Sequence, residues 1–423
     1  MATIMQLYKT PPHGEKEDGG MDDYKKKLFH HRAGQGIRFL VCVVVVLVVI
    51  LGIWLWNQNR TYTGYEVTSS TEHSSTVTTQ YAEYGRYLLR YSRDGISCVD
   101  SREEAVWSQT YNMQYPILDV CGGAAAVADR QGNEAYVFRE DGLQAQITTR
   151  LPIQQISVSS QGVTALLLDG GSVSWIYLYD KEGNVLAESR CSLDETGQPL
   201  SISISQDGTK LAVAYLQVRN GAAAGCVVFY NFGAVGNNFV DKIVSSKVYE
   251  DTVIPRVEYL DSTVCAVVSD QGLFYYEGAE IPEETAAVEV QAEIRSVFFG
   301  EDCVGIITEG KAVEEQAVEE QAAEEQDAGK QAAEEQERFR VELYGTEGQT
   351  LLSVGTSLKY TQAKISREML ILSGEDDCEI YSMQGVLKYA GSFGTGLADL
   401  YKARGFGRYT AVFPDRTDTV KLK

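Results

Sequence analysis

The sequence predicts an all-β fold, a β-propeller with eight blades, which follows one transmembrane helix. Three observations support this prediction. Short apolar runs alternate with glycine-containing turns at intervals of about ten residues. The runs fall into groups of four with a period of roughly 35 to 50 residues, which is typical of propeller blades. One apolar stretch near the N-terminus is long enough to cross a bilayer. A ring of seven blades is the alternative.

The charge of the chain excludes one large class of partners. The 423 residues carry a formal net charge of -22, and 44% of them are hydrophobic, so the chain can bury a sizeable core. Nucleic acids repel a surface of this sign, because binding to phosphates depends on lysine and arginine. We therefore expect no nucleic-acid partner.

Residues 1–38 are predicted to be a disordered tail in the cytoplasm. They hold seven basic and five acidic residues, a net charge of +2, which leaves -24 for the remainder. The tail has almost no apolar periodicity. Its lysine run at 25–27 is interpreted as a topology determinant rather than as a site for lipid headgroups.

Residues 39–56, FLVCVVVVLVVILGIWLW, are predicted to form the transmembrane helix. This stretch contains no charge, and at about 1.5 Å per residue it spans about 27 Å. Basic residues precede it and only Arg60 follows closely, so the positive-inside rule places the N-terminus in the cytoplasm and the C-terminal domain outside the cell. The residues after Trp56 offer no small-residue cleavage site, which indicates an uncleaved signal anchor.

Residues 76–423 are predicted to form the propeller. Apolar runs such as VTALLLD and KLAVAYL alternate with turns of the form x-x-[DEQ]-G. We expect the glycine of each turn to adopt a positive φ angle between two strands. These glycines are Gly95, Gly132, Gly142, Gly162, Gly183, Gly208, Gly272, Gly348 and Gly385.

Residues 57–75 are predicted to be a linker followed by a strand that closes the ring. The last group of runs supplies only three strands, and YTGYEVTSS, directly after the membrane segment, has no group of its own. It is therefore expected to be the outer strand of the last blade, which leaves only short sheet edges. Blade strands are called a to d from the channel outward. An outer strand that starts at the membrane directs the d-to-a and b-to-c loops away from the bilayer.

Residues 311–338 form an acidic, low-complexity insertion in which EEQ recurs every five residues. This period leaves no apolar stripe on a helix, so the segment is either a solvated helix or a flexible loop. The strand count places it between strands b and c of the sixth blade. A tolerated expansion of a surface loop is favoured over an acidic arm for a basic partner or for cations.

No catalytic, cofactor-binding or metal-binding residue is predicted. His73 is the only histidine after the predicted membrane segment. A Ser-His-Asp triad or a multi-histidine metal site cannot be assembled around this one residue. The run Asp180, Glu182 and Asn184 is similar to part of a calcium loop, but a plain turn is favoured. The glycine-rich stretches GGAAA and NGAAAG lack the order of a phosphate-binding loop.

The cysteines outside the membrane segment are interpreted as core side chains. None has C-x-x-C spacing, their number is odd, and most lie within apolar runs. They are Cys98, Cys121, Cys191, Cys226, Cys265, Cys303 and Cys378.

The tract ISCVDSREEAVWSQTYN, followed by ILDVCGGAAAVADRQGNEAYVF, resembles the repeat of quinoprotein-type and WD40-like propellers. Trp107 occupies the tryptophan position of that repeat, although no blade carries a Trp-Asp pair. The vicinal cysteines of quinoprotein dehydrogenases are missing, so no cofactor is expected. Propellers resembling the outer-membrane assembly factor use such blades to bind proteins, and the resemblance implies a similar role.

Residues 60 to 423, apart from the insertion, are similar to an uncharacterised family, a domain of unknown function, of membrane-anchored proteins in anaerobic Gram-positive bacteria. The similarity rests on long stretches, among them LPIQQISVSSQGVTALLLDGGSVSWIYLYDKEGN, PLSISISQDGTKLAVAYL and VVFYNFGAVGNNF. It implies the topology described above and no known activity.

These predictions lead to a functional expectation. We expect a non-enzymatic interaction module at the cell surface, held in the cell membrane by a single span, which binds an unknown protein, peptide or cell-wall ligand on its membrane-distal face. One alternative is an extracellular carboxylate-dependent hydrolase acting on glycan or peptide, with acidic residues at a mouth of the channel. The other is an envelope sensor that signals through the tail.

Overall fold

The computed structural model describes residues 43–48, 52, 59–73, 79–100, 102–192, 196–219, 221–309 and 338–423. The chain divides into two compact units, residues 1–60 and 61–423. Residues 43–48 are helical. Within the described ranges, no helix has the length and apolar composition needed to cross a membrane. The tail 1–38, most of the segment 39–56 and nearly all of the insertion 311–338 lie outside those ranges, so their predictions stay predictions.

The described part of the second unit contains 32 strands in eight antiparallel four-stranded sheets, so the eight-bladed propeller is confirmed and the seven-bladed alternative is wrong. The first strand is β1 (Tyr65–Glu72). Blades one to three contain β2 (Gln80–Tyr84), β3 (Tyr87–Tyr91), β4 (Gly95–Val99), β5 (Ala105–Thr110); β6 (Pro116–Cys121), β7 (Ala124–Asp129), β8 (Glu134–Arg139), β9 (Gly142–Thr148); β10 (Ile153–Val158), β11 (Thr164–Asp169), β12 (Val173–Tyr179) and β13 (Val185–Ser192).

The remaining strands follow in the same order. Blades four to six contain β14 (Gln198–Ile204), β15 (Lys210–Arg219), β16 (Ala222–Asn231), β17 (Ile243–Glu250); β18 (Arg256–Tyr259), β19 (Val264–Ser269), β20 (Gly272–Glu277), β21 (Glu283–Glu289); β22 (Ile294–Phe299), β23 (Cys303–Glu309), β24 (Phe339–Gly345) and β25 (Thr350–Thr356). Blade seven contains β26 (Gln362–Ser366), β27 (Met369–Ser373), β28 (Asp377–Ser382) and β29 (Leu387–Ser392), and blade eight β30 (Asp399–Lys402), β31 (Arg408–Val412) and β32 (Arg416–Leu422). The insertion thus joins strands b and c of blade six.

Strand β1 completes the eighth blade as its outer strand. It pairs antiparallel with β32, with Tyr65 opposite Leu422 and Glu72 opposite Arg416. We call the side of the ring where β1 begins, which carries the a-to-b and c-to-d connections, the entry face. The opposite side, with the d-to-a and b-to-c connections, is the loop face.

Every blade has a β-bulge near the start of its outer strand. The register between strands c and d shifts at that point, as between Val99 and Cys98 in blade one and between Tyr344 and Leu343 in blade six. A bulge increases the local twist of a strand pair, which suits an outer strand that must bend around a blade. The repeated bulge is therefore part of the blade design.

The core lies between neighbouring blades, because each sheet is covered on both faces. Middle strands are consequently rich in apolar residues, and all six residues of β19 are buried. The seven cysteines from Cys98 to Cys378 are free; six are buried and Cys121 is partly buried against the cluster between blades two and three. Their predicted role as core side chains is confirmed.

Two of the nine turn glycines do not have the predicted conformation. Seven have φ angles between 73° and 145°, whereas Gly95 and Gly132 do not have a positive φ. A Cβ atom on Gly95 would lie 2.6 Å from the carbonyl oxygen of Gln109. Glycine is needed there because another backbone approaches closely, not because of its φ angle.

Candidate functional site

The central channel is lined by the inner strand of each blade, and polar side chains gather there in two groups. Apolar residues dominate the sheets behind it, whereas six of the eight inner strands carry at least one charged residue. Neither group is built from one blade alone. Both therefore depend on closure of the ring.

The first group, called the channel carboxylates, consists of Asp119 on β6 and Glu258 on β18, together with Arg256. Asp119 Oδ2 accepts a hydrogen bond of 2.7 Å from the backbone nitrogen of Val158. Arg256 donates to Glu258 Oε2 over 2.8 Å and 3.3 Å. Strands β6 and β18 belong to blades two and five. The interaction between the charges of Asp119 and Arg256 therefore crosses the channel.

Burial changes the protonation of both acids. It raises the pKa of Glu258 to about 7; Arg256 opposes this shift, and the charge of Asp119 adds to it. Burial also raises the pKa of Asp119, against the hydrogen bond from Val158. Near neutral pH the channel therefore holds a carboxyl group that exchanges a proton readily beside a second acid. Such a pair can bind a cationic or hydrogen-bond-donating group, or supply a proton.

The second group, called the seam cluster, joins blades seven, eight and one. The Lys364 ammonium bonds the Asp399 carboxylate and lies 3.4 Å from the ring centroid of Tyr401, whose hydroxyl also donates to Asp399. Ser366 Oγ donates to Glu83 Oε1 over 2.9 Å. Burial lowers the pKa of Lys364, although Asp399 and Glu83 favour its charged form. The charged groups of the seam cluster have partners within the cluster. We therefore assign the cluster to closing the ring rather than to binding a ligand.

The residues that the sequence singled out lie elsewhere. Asp180 Oδ1 accepts from the backbone nitrogens of Glu182 and Asn184 over 3.0 Å and 2.8 Å, and the Asn184 side chain donates to Oδ2 over 2.9 Å. These bonds use the carboxylate within its own turn. In the described ranges, no three or more metal-ligating side chains come together.

His73 lies at the end of β1, on the loop face and away from the channel. Its Nε2 forms a hydrogen bond of 2.9 Å with the hydroxyl of Thr417 on β32. Burial and the nearby charge of Arg90 lower its pKa. It borders an open recess of about 550 Å³ with Glu72, Asp415 and Arg416. The hydrogen bond to Thr417 holds the end of β1 against β32.

The loop face carries the largest projections of the ring. Strands β15 and β16 have ten residues each and form a long hairpin, at the end of which Val218 is 79% exposed. The insertion between β23 and β24 leaves from the same face. Tyr115 is 53% exposed, and the Arg93 guanidinium lies 5.9 Å from its ring centroid. Exposed tyrosine and arginine are frequent anchors of protein interfaces.

Sequence reasoning missed both channel groups. Asp119 in PILDVC and Glu258 in RVEYL are acids within apolar runs, and an acid in such a run is a usable signal. What the sequence could not provide is the partner, because the residues that meet across the channel come from distant blades.

Comparisons with known proteins show distant structural similarity. No curated protein matches the chain. Among solved structures, BamB from Moraxella catarrhalis is 12% identical and covers 85% of this chain and 100% of its own, with a TM-score of 0.48. The computationally designed Ika8 protein is 12% identical with the same coverage and a TM-score of 0.51. The Pan2 WD40 domain of Neurospora crassa is 10% identical, covers 85% and 95%, and has a TM-score of 0.40.

These structural matches concern the fold alone. A family model described as a family of unknown function, DUF5711, matches residues 58–422. This range includes all 32 described strands and most of the chain. The chain therefore belongs to the DUF5711 family.

Proposed function

We propose that this protein is a membrane-anchored propeller outside the cytoplasm that binds a protein, peptide or cell-wall partner through its loop face. The proposed anchor is the uncharged segment 39–56, and the basic residues before it support a cytoplasmic N-terminus. A propeller is a common platform for protein interactions, although this is an argument from fold alone.

The observation that carries the proposal is the direction of β1. The chain arrives from the proposed anchor at Tyr65 on the entry face, and β1 ends at Glu72 on the loop face. The long β15–β16 hairpin extends on the loop face, and the connection between β23 and β24, which contains the insertion, begins and ends on the same face. A tether on one side of the ring therefore leaves the side with the longest connections free to meet a partner.

Orientation is tested first, with the full chain in intact cells. Trypsin cleaves after Lys311, Lys330 and Arg338, which flank or interrupt the acidic insertion. We expect cleavage there without permeabilising the cells, and protection of the tail until the cells are opened. Cleavage of the insertion only in opened cells would contradict the proposed location.

Binding is tested with the full chain in detergent against envelope extract. Arg93→Ala combined with Tyr115→Ala is expected to weaken capture of a specific partner by about tenfold or more, because interface anchors of this type typically contribute over 1 kcal/mol. Leu143→Ala, an exposed residue on the entry side of β9, is the matched control and should have no effect. Equal loss in both variants would refute binding at the loop face.

One observation favours a second candidate, a carboxylate-dependent hydrolase. Glu258, with a pKa of about 7 beside Asp119, has the protonation behaviour of a general acid. Hydrolysis of cell-wall glycan that is abolished by Glu258→Gln and by Asp119→Asn would support this candidate. Equal hydrolysis by the wild type and both variants would exclude it.

A further inference from the structure

A short connection in the eighth blade presents a phenylalanine on the entry face. It joins β30 to β31 and consists of residues 403–407; we call it the Phe406 loop. Phe406 is 78% exposed. Gly405 and Gly407 on either side of it have φ angles of 99° and 62°, a region that suits glycine. The backbone is therefore shaped to hold an aromatic side chain in solvent.

Lys402 holds this loop in place. Its ammonium donates hydrogen bonds to the carbonyl oxygens of Ala403 at 3.1 Å, Gly405 at 2.7 Å and Arg408 at 3.1 Å. The backbone nitrogen of Ala403 also donates to the Arg408 carbonyl over 3.0 Å. Three carbonyl acceptors on one ammonium fix the loop from inside. Phe406 thus protrudes from a rigid loop, which distinguishes it from a side chain that merely lacks packing.

Exposed apolar side chains of the propeller are concentrated on the same side of the ring. Of the thirteen large ones in its described residues, all except Tyr115 and Val218 lie at the entry face or at the entry end of an outer strand. Each blade contributes at least one. The entry side therefore exposes more large apolar side chains than the loop face.

Charged residues are distributed unevenly over the entry face. Exposed basic residues lie on the entry side of blade eight, namely Arg404, Arg408, Lys421 and Lys423, the last of which pairs with Glu66. The entry-face connections of the other blades expose acids, among them Asp141, Glu182, Glu280, Glu301 and Glu347, although Arg86, Lys181 and Arg367 are also exposed there. An anionic bilayer would repel those blades and attract the eighth. The charges therefore favour a tilted contact over a flat one.

The Phe406 loop also lies beside the point where the chain enters the propeller. A Cβ atom on Gly407 would lie 3.5 Å from the Tyr62 hydroxyl, and the Leu422 nitrogen donates to the Gly407 carbonyl over 2.7 Å. In the sequence, Tyr62 follows Trp56, the last residue of the proposed anchor, by six positions. An extended chain covers about 3.5 Å per residue, so this tether is at most about 20 Å long.

We infer that the Phe406 loop is a second membrane anchor, which inserts into the headgroup region of an anionic bilayer. Phe406 would enter the boundary between headgroups and acyl chains, and Arg404 and Arg408 would contact lipid phosphates. This inference rests on the proposed function, because it requires the chain to be anchored through residues 39–56. It adds the orientation of the ring, with the eighth blade against the membrane.

The test uses the full chain reconstituted into vesicles of equal parts phosphatidylcholine and phosphatidylglycerol. The photoreactive residue benzoylphenylalanine replaces Phe406 in one preparation and Tyr115, on the loop face, in the control. We expect lipid adducts, detected by mass spectrometry, at position 406 only. Arg404→Glu and Arg408→Glu should each reduce the adduct by about fivefold, since a basic residue near an anionic surface contributes about 1 kcal/mol. Lys181→Glu, on the entry face of blade three, is the matched control and should change little.

Flotation of the vesicles separates failure of this inference from failure of the proposed function. If the chain does not float with the vesicles, membrane anchoring itself is refuted. If it floats but position 406 yields no lipid adduct, or yields a protein adduct instead, the anchor assigned to the Phe406 loop is refuted while residues 39–56 keep their role. Equal lipid adducts at positions 406 and 115 would also refute it.

Discussion

Lys210 shows how the surroundings of a single residue can offset the desolvation cost of a buried charge. Lys210 is only 1% exposed, and its ammonium lies 3.3 Å from the Asp207 carboxylate and 3.3 Å from the Thr209 hydroxyl. Asp207 also accepts a hydrogen bond of 2.6 Å from Ser205. A buried ammonium is tolerated only with such partners.

Removing the acid should therefore cost more than removing the base. We expect Asp207→Ala to lower the free energy of unfolding by about 2 kcal/mol, less than for a fully buried pair because Asp207 is partly exposed. Lys210→Met should cost less, since it leaves no buried charge unpaired. Urea unfolding measures both. Lys181→Met, which removes an exposed pair with Glu182, should stay within about 0.5 kcal/mol of the wild type.

Gly95 gives a second prediction for a single residue. A methyl group there would collide with the Gln109 carbonyl, so we expect Gly95→Ala to cost about 1–3 kcal/mol in thermal unfolding. Gly64→Ala is the control, because no atom lies within 4 Å of the added Cβ. Equal stability of the two variants would show that the backbone relaxes around Gly95.

For single residues, the sequence shows which residue type occupies a turn, but it does not show why that type is required there. It places glycine in all nine turns, but it cannot distinguish a positive φ from a close backbone contact, because the contact at Gly95 comes from the neighbouring strand β5. Likewise, the DGTK turn is visible in the sequence, whereas the burial of Lys210 depends on the packing of the blade around it.

Among the elements, β1 is the strand that closes the ring. Its first residue, Tyr65, stacks edge-on against Phe393 with ring centroids 4.8 Å apart, and its hydroxyl donates to the Phe393 carbonyl over 3.0 Å. Ser70 and His73 bond Asp418 and Thr417 at the other end of the strand. Side chains thus fasten the closing strand at both ends.

Tyr65→Ala should destabilise the whole ring rather than one strand. We expect a loss of about 2 kcal/mol, from the aromatic contact and the hydrogen bond together. Thermal unfolding of the full chain in detergent should remain a single transition at a lower temperature. Tyr115→Ala, which removes an exposed tyrosine on the loop face, is the control. A separate early transition in Tyr65→Ala would mean that β1 detaches alone.

The sequence is a good guide to elements because blades repeat. The three-stranded remainder at the C-terminus and the spare strand after residues 39–56 indicate how the ring closes, and β1 is observed there. The repeated β-bulge is not visible in advance, because the residues that the register skips, such as Val106, Leu186 and Thr285, share no common type.

On the scale of the whole molecule, the channel links blades that are far apart in sequence. Asp119 and Glu258 belong to blades two and five, and the seam cluster joins blades seven, eight and one. No periodicity in a single sequence specifies which inner-strand residues face one another across a ring. This is why the blade number could be predicted and the channel groups could not.

The channel carboxylates give stability a defined dependence on pH. The pKa of Glu258 in the folded protein, about 7, exceeds the ordinary value of 4.5. Between these values the folded state holds more protons than the unfolded state, so stability is highest at low pH and falls as pH rises toward 7. We expect a loss on the order of 2 kcal/mol between pH 4.5 and 8.

Glu258→Gln should flatten that profile, because an amide does not titrate. Melting temperatures at pH 5 and pH 8 measure the difference. Glu283→Gln, a substitution of an exposed acid in the same blade, should retain the slope of the wild type. A wild-type slope that persists in Glu258→Gln would assign the dependence to another group.

Closure by β1 also determines when the ring can form. Ser70 and Asp418, which share a hydrogen bond in the finished blade, are 348 positions apart in the chain. A ribosome must therefore synthesise β32, which lies near the end of this sequence, before β1 can pair with it, and until then β1 lacks its partner strand. Contacts across such a distance slow folding. A nascent chain halted before β32 is consequently expected to bind chaperones that recognise open β-edges, and to release them once translation ends.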